Sequence, residues 1–107
     1  MVNQKHTKDS LIEDFIFDIK SLVKKIEENK AINSDYAKFQ EMIELLGVPT
    51  EDILKTLKQY GFDGWGDFYV ARQSSSRLDY LRTQPVLGSI QGMSNAAIHA
   101  LNKMLSS

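Results

Sequence analysis

A compact all-α bundle of four to five helices is the fold class this sequence predicts. Three observations carry that prediction. Apolar residues recur at three- and four-residue steps over most of the chain, the signature of helices with one buried face. The only strand-like run, Phe68-Tyr69-Val70, is too short to build a sheet. Two Pro and six Gly are few for a β protein with many turns. At 107 residues, with 42% apolar and 25% charged content, the chain fits one domain with a real core. Residues 1–8 read as a polar, flexible arm and residues 9–107 as the single helical domain.

The first helix is expected from Asp9 to about Lys30. Leu11, Ile12, Phe15, Ile16, Ile19, Leu22, Val23 and Ile26 form its apolar face. Glu13 and Asp14 sit early and Lys24, Lys25 and Lys30 late, which suits the helix dipole. Asn33 or Ser34 should cap a second helix running to Leu46, with Tyr36, Phe39, Met42, Ile43 and Leu46 inward. Gly47 supplies the left-handed residue that ends it, and Pro49 follows. Thr50 should cap a third helix that buries Ile53, Leu54 and Leu57 and stops at Gly61.

A fourth helix is expected from Trp65 to about Arg82, with Trp65, Phe68, Ala71, Ser75, Leu78 and Leu81 on one side. Ser74-Ser75-Ser76 are poor residues for a helix interior and mark the place where it would break. Thr83-Gln84-Pro85 reads as a turn, Pro85 being suited to the first turn of a last helix that reaches Leu105. Val86, Leu87, Ile90, Met93, Ala97, Ile98, Leu101, Met104 and Leu105 hold one phase through it. Gly88 and Gly92 oppose a continuous helix, each costing roughly 1 kcal/mol relative to Ala. If it is continuous, both fall away from the apolar stripe.

The residue inventory excludes several chemistries. The absence of Cys removes disulfides, thiolate metal sites and thiol catalysis. The two histidines, His6 and His99, belong to no HExxH or ExxH pair. Asp63-Gly64-Trp65-Gly66-Asp67 lacks the ligand spacing of a calcium loop. Gly-x-Ser-x-Gly and glycine-rich phosphate loops are also missing. The acid pairs Glu13/Asp14, Glu27/Glu28 and Glu51/Asp52 point about 100° apart on a helix and read as solvated faces. The expectation is a protein that is not an enzyme and uses no metal or cofactor. A net charge of −1 argues against a globally basic nucleic-acid binder. The start of the chain carries no secretory pattern, and no stretch has the roughly 20 apolar residues of a membrane span. A cytoplasmic protein is expected, a secreted chain with its leader removed being the alternative.

The segment from Met42 to Leu57 resembles a helix-turn-helix, with Gly47 in the turn and Val48, Ile53 and Leu57 at core positions. The resemblance covers about 20 residues and implies DNA binding by the helix after Thr50. It departs from the family at Ile43, where a small residue is usual. Glu51 and Asp52 depart too, since they would face the phosphates. The same segment is generically similar to ubiquitin-associated domains, from which no residue role follows.

Partner binding is the leading expectation, and its candidate residues are Phe17, Trp65, Tyr69, Arg72, Arg77 and Tyr80. Phe17 points away from the apolar face of its helix, among Glu13, Lys20 and Lys24. Trp65 lies between two glycines, close to further aromatics, and Tyr69 leaves the core stripe. Trp, Tyr and Arg dominate binding hot spots. From Phe68 onward four cations (Arg72, Arg77, Arg82, Lys103) stand against one acid, Asp79. The first 55 residues hold eight Lys against eleven acids. This asymmetry serves either an acidic partner or attraction between the two halves. Adaptor, regulator, immunity protein and inhibitor are the roles that match the size and class. A helix-turn-helix regulator and a self-associating subunit, such as a homodimer through Phe17 or the Gly88/Gly92 face, are the alternatives.

Overall fold

The computed structural model describes residues 8–105, which form five helices and no strand. They are α1 (Lys8–Glu27), α2 (Asn33–Leu45), α3 (Glu51–Gln59), α4 (Trp65–Gln73) and α5 (Arg77–Leu105). The expected arm lies outside the described residues except for Lys8, which opens α1. The helical bundle predicted from apolar periodicity is therefore the fold. No described helix is long and apolar enough to cross a membrane.

Three of the helices end in the same way, with a left-handed residue just past the last turn. α1 stops three residues earlier than expected because Asn29 has φ +59°. Lys30 N–H then reaches back to Lys25 C=O at 2.8 Å, and Asn29 N–H to Ile26 C=O at 3.1 Å. Gly47 (φ +77°) and Gly61 (φ +89°) end α2 and α3 by the same two-bond arrangement. In both, the apolar residue after the glycine donates five residues back: Val48 to Ile43 at 3.3 Å and Phe62 to Leu57 at 2.8 Å.

The helix starts differ from expectation in detail. Ile32, not Asn33 or Ser34, is the N-cap of α2, and its N–H is taken by the Asp35 carboxylate at 3.0 Å. Thr50 stands at the N-cap of α3, but its hydroxyl donates to Glu44 Oε2 at 3.0 Å instead of capping. Leu54, expected inside, is partly exposed on the outer side of α3.

The largest correction concerns the fourth helix. It ends at Gln73, and Ser74 adopts an extended backbone. Ser76 then caps α5: its Oγ accepts from Asp79 N–H at 3.4 Å, and its own N–H donates to Ser74 Oγ at 3.0 Å. Thr83-Gln84-Pro85 is not a turn but helix interior, so α5 runs through Pro85, Gly88 and Gly92 to Leu105. At 1.5 Å per residue that helix is about 43 Å long. The break changes which residues are buried. Leu78 and Leu81, inward on a continued fourth helix, are 75% and 47% exposed on α5. Ser75, also expected inward, is exposed.

α5 is the common support, packing against each of the other four helices. α1 lies antiparallel along it. Leu11 and Phe15 meet Leu101 and Met104 at one end, and Gln91 donates to Glu27 near the other. α2 packs on α1 and α4, which closes the middle of the bundle. Inside stand Ile19, Ile26, Phe39, Ile43, Leu57, Phe68, Val86 and Ile90, all essentially without solvent contact. The outer flank of the α1 stripe is less well covered, and Leu11 is 65% exposed.

Two substitutions test this packing by urea unfolding. Phe68→Ala removes the centre of the aromatic cluster and should cost about 3–5 kcal/mol. Gly61→Ala should cost about 1–3 kcal/mol from backbone strain. The added Cβ would also stand only 2.7 Å from Arg82 Nη1.

Candidate functional site

The six residues singled out from sequence fall into two groups. Trp65, Tyr69 and Arg72 are built into the packing, whereas Phe17, Arg77 and Tyr80 lie on the surface. Trp65 stacks on Tyr36 with ring centres 5.6 Å apart and planes 13° from parallel. Its Nε1–H donates to Gln40 Oε1 at 2.6 Å. Phe68 meets Tyr36, Phe62 and Trp65 edge-on, at 5.3, 5.5 and 5.8 Å. Tyr69 is half-buried, tilted against Tyr36 at 6.4 Å.

Arg72 is a correction to the idea of a surface arginine set. Only 4% of it is exposed. It reaches from the last turn of α4 to Ile26 C=O, at 2.7 Å, in the last turn of α1. The unused carbonyls of a helix C-terminus carry partial negative charge, which partly compensates a buried guanidinium that makes no ion pair among the described residues. Asn29 Nδ2 returns the contact to Arg72 C=O at 3.0 Å, and Gln73 Nε2 donates to Asn29 Oδ1 at 2.9 Å. The Tyr36 phenol lies within reach of the Arg72 charge. Burial pushes its pKa above the ordinary tyrosine value, and the cation only partly opposes that.

Arg82 plays the same part at the other side of the bundle. Nη1 donates to Tyr60 C=O at the end of α3, at 2.8 Å, and Nη2 to Asp79 at 2.9 Å. The guanidinium lies 4.5 Å from the centre of the Phe62 ring. Hydrogen bonds from Arg82 and then Ser74 hold the Asp79 carboxyl below its usual pKa. Two of the three arginines therefore cap helix ends from neighbouring helices, leaving Arg77 exposed.

What remains on the surface is concentrated on α5. Arg77, Leu78, Tyr80 and Leu81 are exposed over its first two turns. Beyond Arg82, no Lys, Arg, Asp or Glu occurs until Lys103. The outward positions there are Gln84, Gly88, Gly92, Asn95, Ala96 and His99, among others. The outer side of α1 is the opposite case, with Glu13, Asp14, Asp18, Lys20, Lys24 and Lys25 exposed around Phe17. Leu81, Gly88, Gly92, Ala96 and His99 recur at steps of seven, four, four and three, which places them on one face. A Cβ added at Gly88 or Gly92 meets nothing within 4 Å, so nothing in the described chain requires glycine there.

The charge-free stretch and the exposed Leu78 and Leu81 escaped the sequence reading for different reasons. The uninterrupted run without charge is legible in the sequence, but its exposure on one helix depends on α5 being continuous from Arg77 to Leu105. The two leucines were hidden by the register of a helix that does not continue. Ser76-Arg77-Leu78-Asp79, with a capping Ser three residues before an acid, is the signal that would have placed the break.

Two shallow apolar depressions complete the surface. One, of about 400 Å³, lies beside α3 over Leu54 and Leu57, with Glu51, Lys55, Lys58 and Asp63 at its rim. The other, of about 470 Å³, lies between the ends of α1 and α5 over Leu11, Phe15, Leu101 and Met104. Among the described residues no group of three or more His, Asp or Glu is placed to share a metal ion. In the segment resembling a helix-turn-helix, α3 packs mainly on α5, and Glu51 and Asp52 are exposed at its first turn. Comparison with known proteins finds no family model, no curated relative and no solved structure that matches the chain.

Truncating the arginines should separate their roles. Arg72→Ala should cost about 2–3 kcal/mol, the range for a charged hydrogen bond lost from a buried site. Arg77→Ala should stay within about 0.5 kcal/mol of the parent, as exposed substitutions do. Equal losses in chemical unfolding would show that Arg72 is not the clasp described. In the same measurement, Gly88→Ala and Gly92→Ala should each raise stability by about 0.5–1 kcal/mol.

Proposed function

We propose that this chain is a non-enzymatic protein-binding module that presents the outer face of α5 to a helix of another protein. The observation that carries the reading is the charge-free exposed face between Arg82 and Lys103, with Gly88 and Gly92 at its centre. Solvated helix faces ordinarily carry charge, as α1 does here. Depletion of charge is the compositional mark of an interface core. Glycines weaken a helix, and the open space over both leaves them without an internal purpose. Without Cβ atoms they let another backbone approach closely.

Leu78 and Leu81 supply apolar anchors at one end of the face, and Tyr80 and Arg77 bring the residue types that dominate hot spots. Between Arg82 and Lys103 a partner helix lying along α5 would bury amides and small side chains without desolvating an ion of this run, so the polar cost of docking there is low. Adaptor, regulator, immunity protein and inhibitor are the roles to which such a face is suited. The nucleic-acid alternative is less well supported, because the acids at the start of α3 oppose a phosphate backbone.

The test is capture from native lysate with wild type, Gly88→Arg, Gly92→Arg and a control on α3, Lys55→Glu. Both arginine variants should fold with at least wild-type stability, since both glycines are exposed, an added Cβ meets nothing within 4 Å, and Arg favours helix more than Gly does. A stoichiometric protein held by wild type and the control, and lost from both arginine variants, is the expected result. Equal retention by all four would overturn the reading.

A further inference from the structure

The outer face of α1 is a separate surface, and its chemistry is self-complementary. Phe17 is 68% exposed at its centre. One turn before it stand Glu13 and Asp14, one turn after it Lys20, and two turns after it Lys24, all exposed. Among the described residues no ion pair takes up the side chains of Glu13, Lys20 or Lys24. Glu13 and Asp14 thus lie on one side of Phe17 along the helix and Lys20 and Lys24 on the other, while Asp18 stands about 100° round the helix from Phe17, on the flank it shares with Lys25, Asp35 and Lys38.

We infer that this face pairs with a second copy of itself, two α1 helices lying antiparallel with the two Phe17 rings at the dyad. An isologous contact sets each residue before the axis against one after it. On a 100° helical wheel, Glu13 and Lys20 project to the same side of Phe17, at opposite heights. Rotation about the dyad therefore brings Glu13 of one copy opposite Lys20 of the second copy, and the pair occurs twice. Lys24 extends the basic end beyond it, while Asp14 comes opposite Ser21. Parallel α1 helices would set acid on acid and base on base, so the antiparallel arrangement is the one the charges select. The same pattern disfavours a partner of single sign, which would meet repulsion over half of the face. The contact is one helix wide, which fits a weak, concentration-dependent dimer and not an obligate one.

Sedimentation equilibrium of the full chain, from micromolar to millimolar concentration, tests this with Glu13→Lys, Lys20→Glu and their equimolar mixture. Circular dichroism confirms that each variant is folded, as substitution at exposed charges should leave it. Wild type should show mass rising towards a dimer. Each variant alone sets like charges together twice and should associate about ten-fold more weakly, the modest loss expected of exposed ion pairs. The mixture restores one cation opposite each anion and should recover the wild-type association as a heterodimer. A wild type that stays monomeric, variants that associate as well as wild type, or a mixture no better than its components would each overturn the inference. So would an association abolished by Gly92→Arg and untouched by the α1 variants, since that places the second copy on α5.

Discussion

The buried guanidinium of Arg72 on the last turn of α1 is the contact from which most of the arrangement follows. α4 has nine residues, too few for a helix to hold in water by its own hydrogen bonds. Its position comes from what it touches. Arg72 fastens its C-terminal end to Ile26, and Asn29 fastens the end of α1 back to Arg72. With that end fixed, Phe68 and Trp65 reach Tyr36 on α2, which lies between α1 and α4. The chain leaves α4 immediately after the clasp, and the serine connector that follows sets where α5 begins. A cation is suited to this place because a helix C-terminus offers several unused carbonyls and a negative field at once.

Arg82 repeats the device at the end of α3, which explains how short helices can be joined by tight left-handed turns without exposing their last carbonyls to an apolar interior. At α1 and α3 the backbone satisfies part of the helix end from within, and an arginine from another helix satisfies a further carbonyl. The two halves of the chain, unlike in charge, therefore meet less through ion pairs than through cations on helix termini. The arginine excess of the second half is largely spent on holding the fold together, with Arg77 as the member left exposed.

The bundle was legible because its main signals are local. Apolar stripes gave α1, α2 and the later part of α5, and Gly47 and Gly61 marked two helix ends by the backbone conformation that glycine tolerates. Asn29 marks a third end by the same conformation, but asparagine enters the left-handed region less distinctively than glycine, and nothing local distinguished it. The join of α4 and α5 is not legible locally because two opposed rules meet there. Pro85 favours a helix start, and the periodic residues after Phe68 favour continuation. The packing of Thr83 and Val86 against the core outweighed the hydrogen bond that Pro85 cannot make. The burial of Arg72 depends on helices 46 residues apart in sequence, so no local pattern announces it.

The exposed faces follow from the same reasoning about cost. A helix as long as α5 gains stability from every residue that favours helix, and substituting Ala for Gly88 or Gly92 would meet no obstacle in this chain. The α1 face, in contrast, keeps its charges in solvent, where they cost nothing to hold and add solubility. Covering the α5 face would desolvate few charges, whereas the α1 face carries both signs along its length. Both faces distribute their chemistry along the length of a helix, the form of surface that suits the helical partners proposed for them.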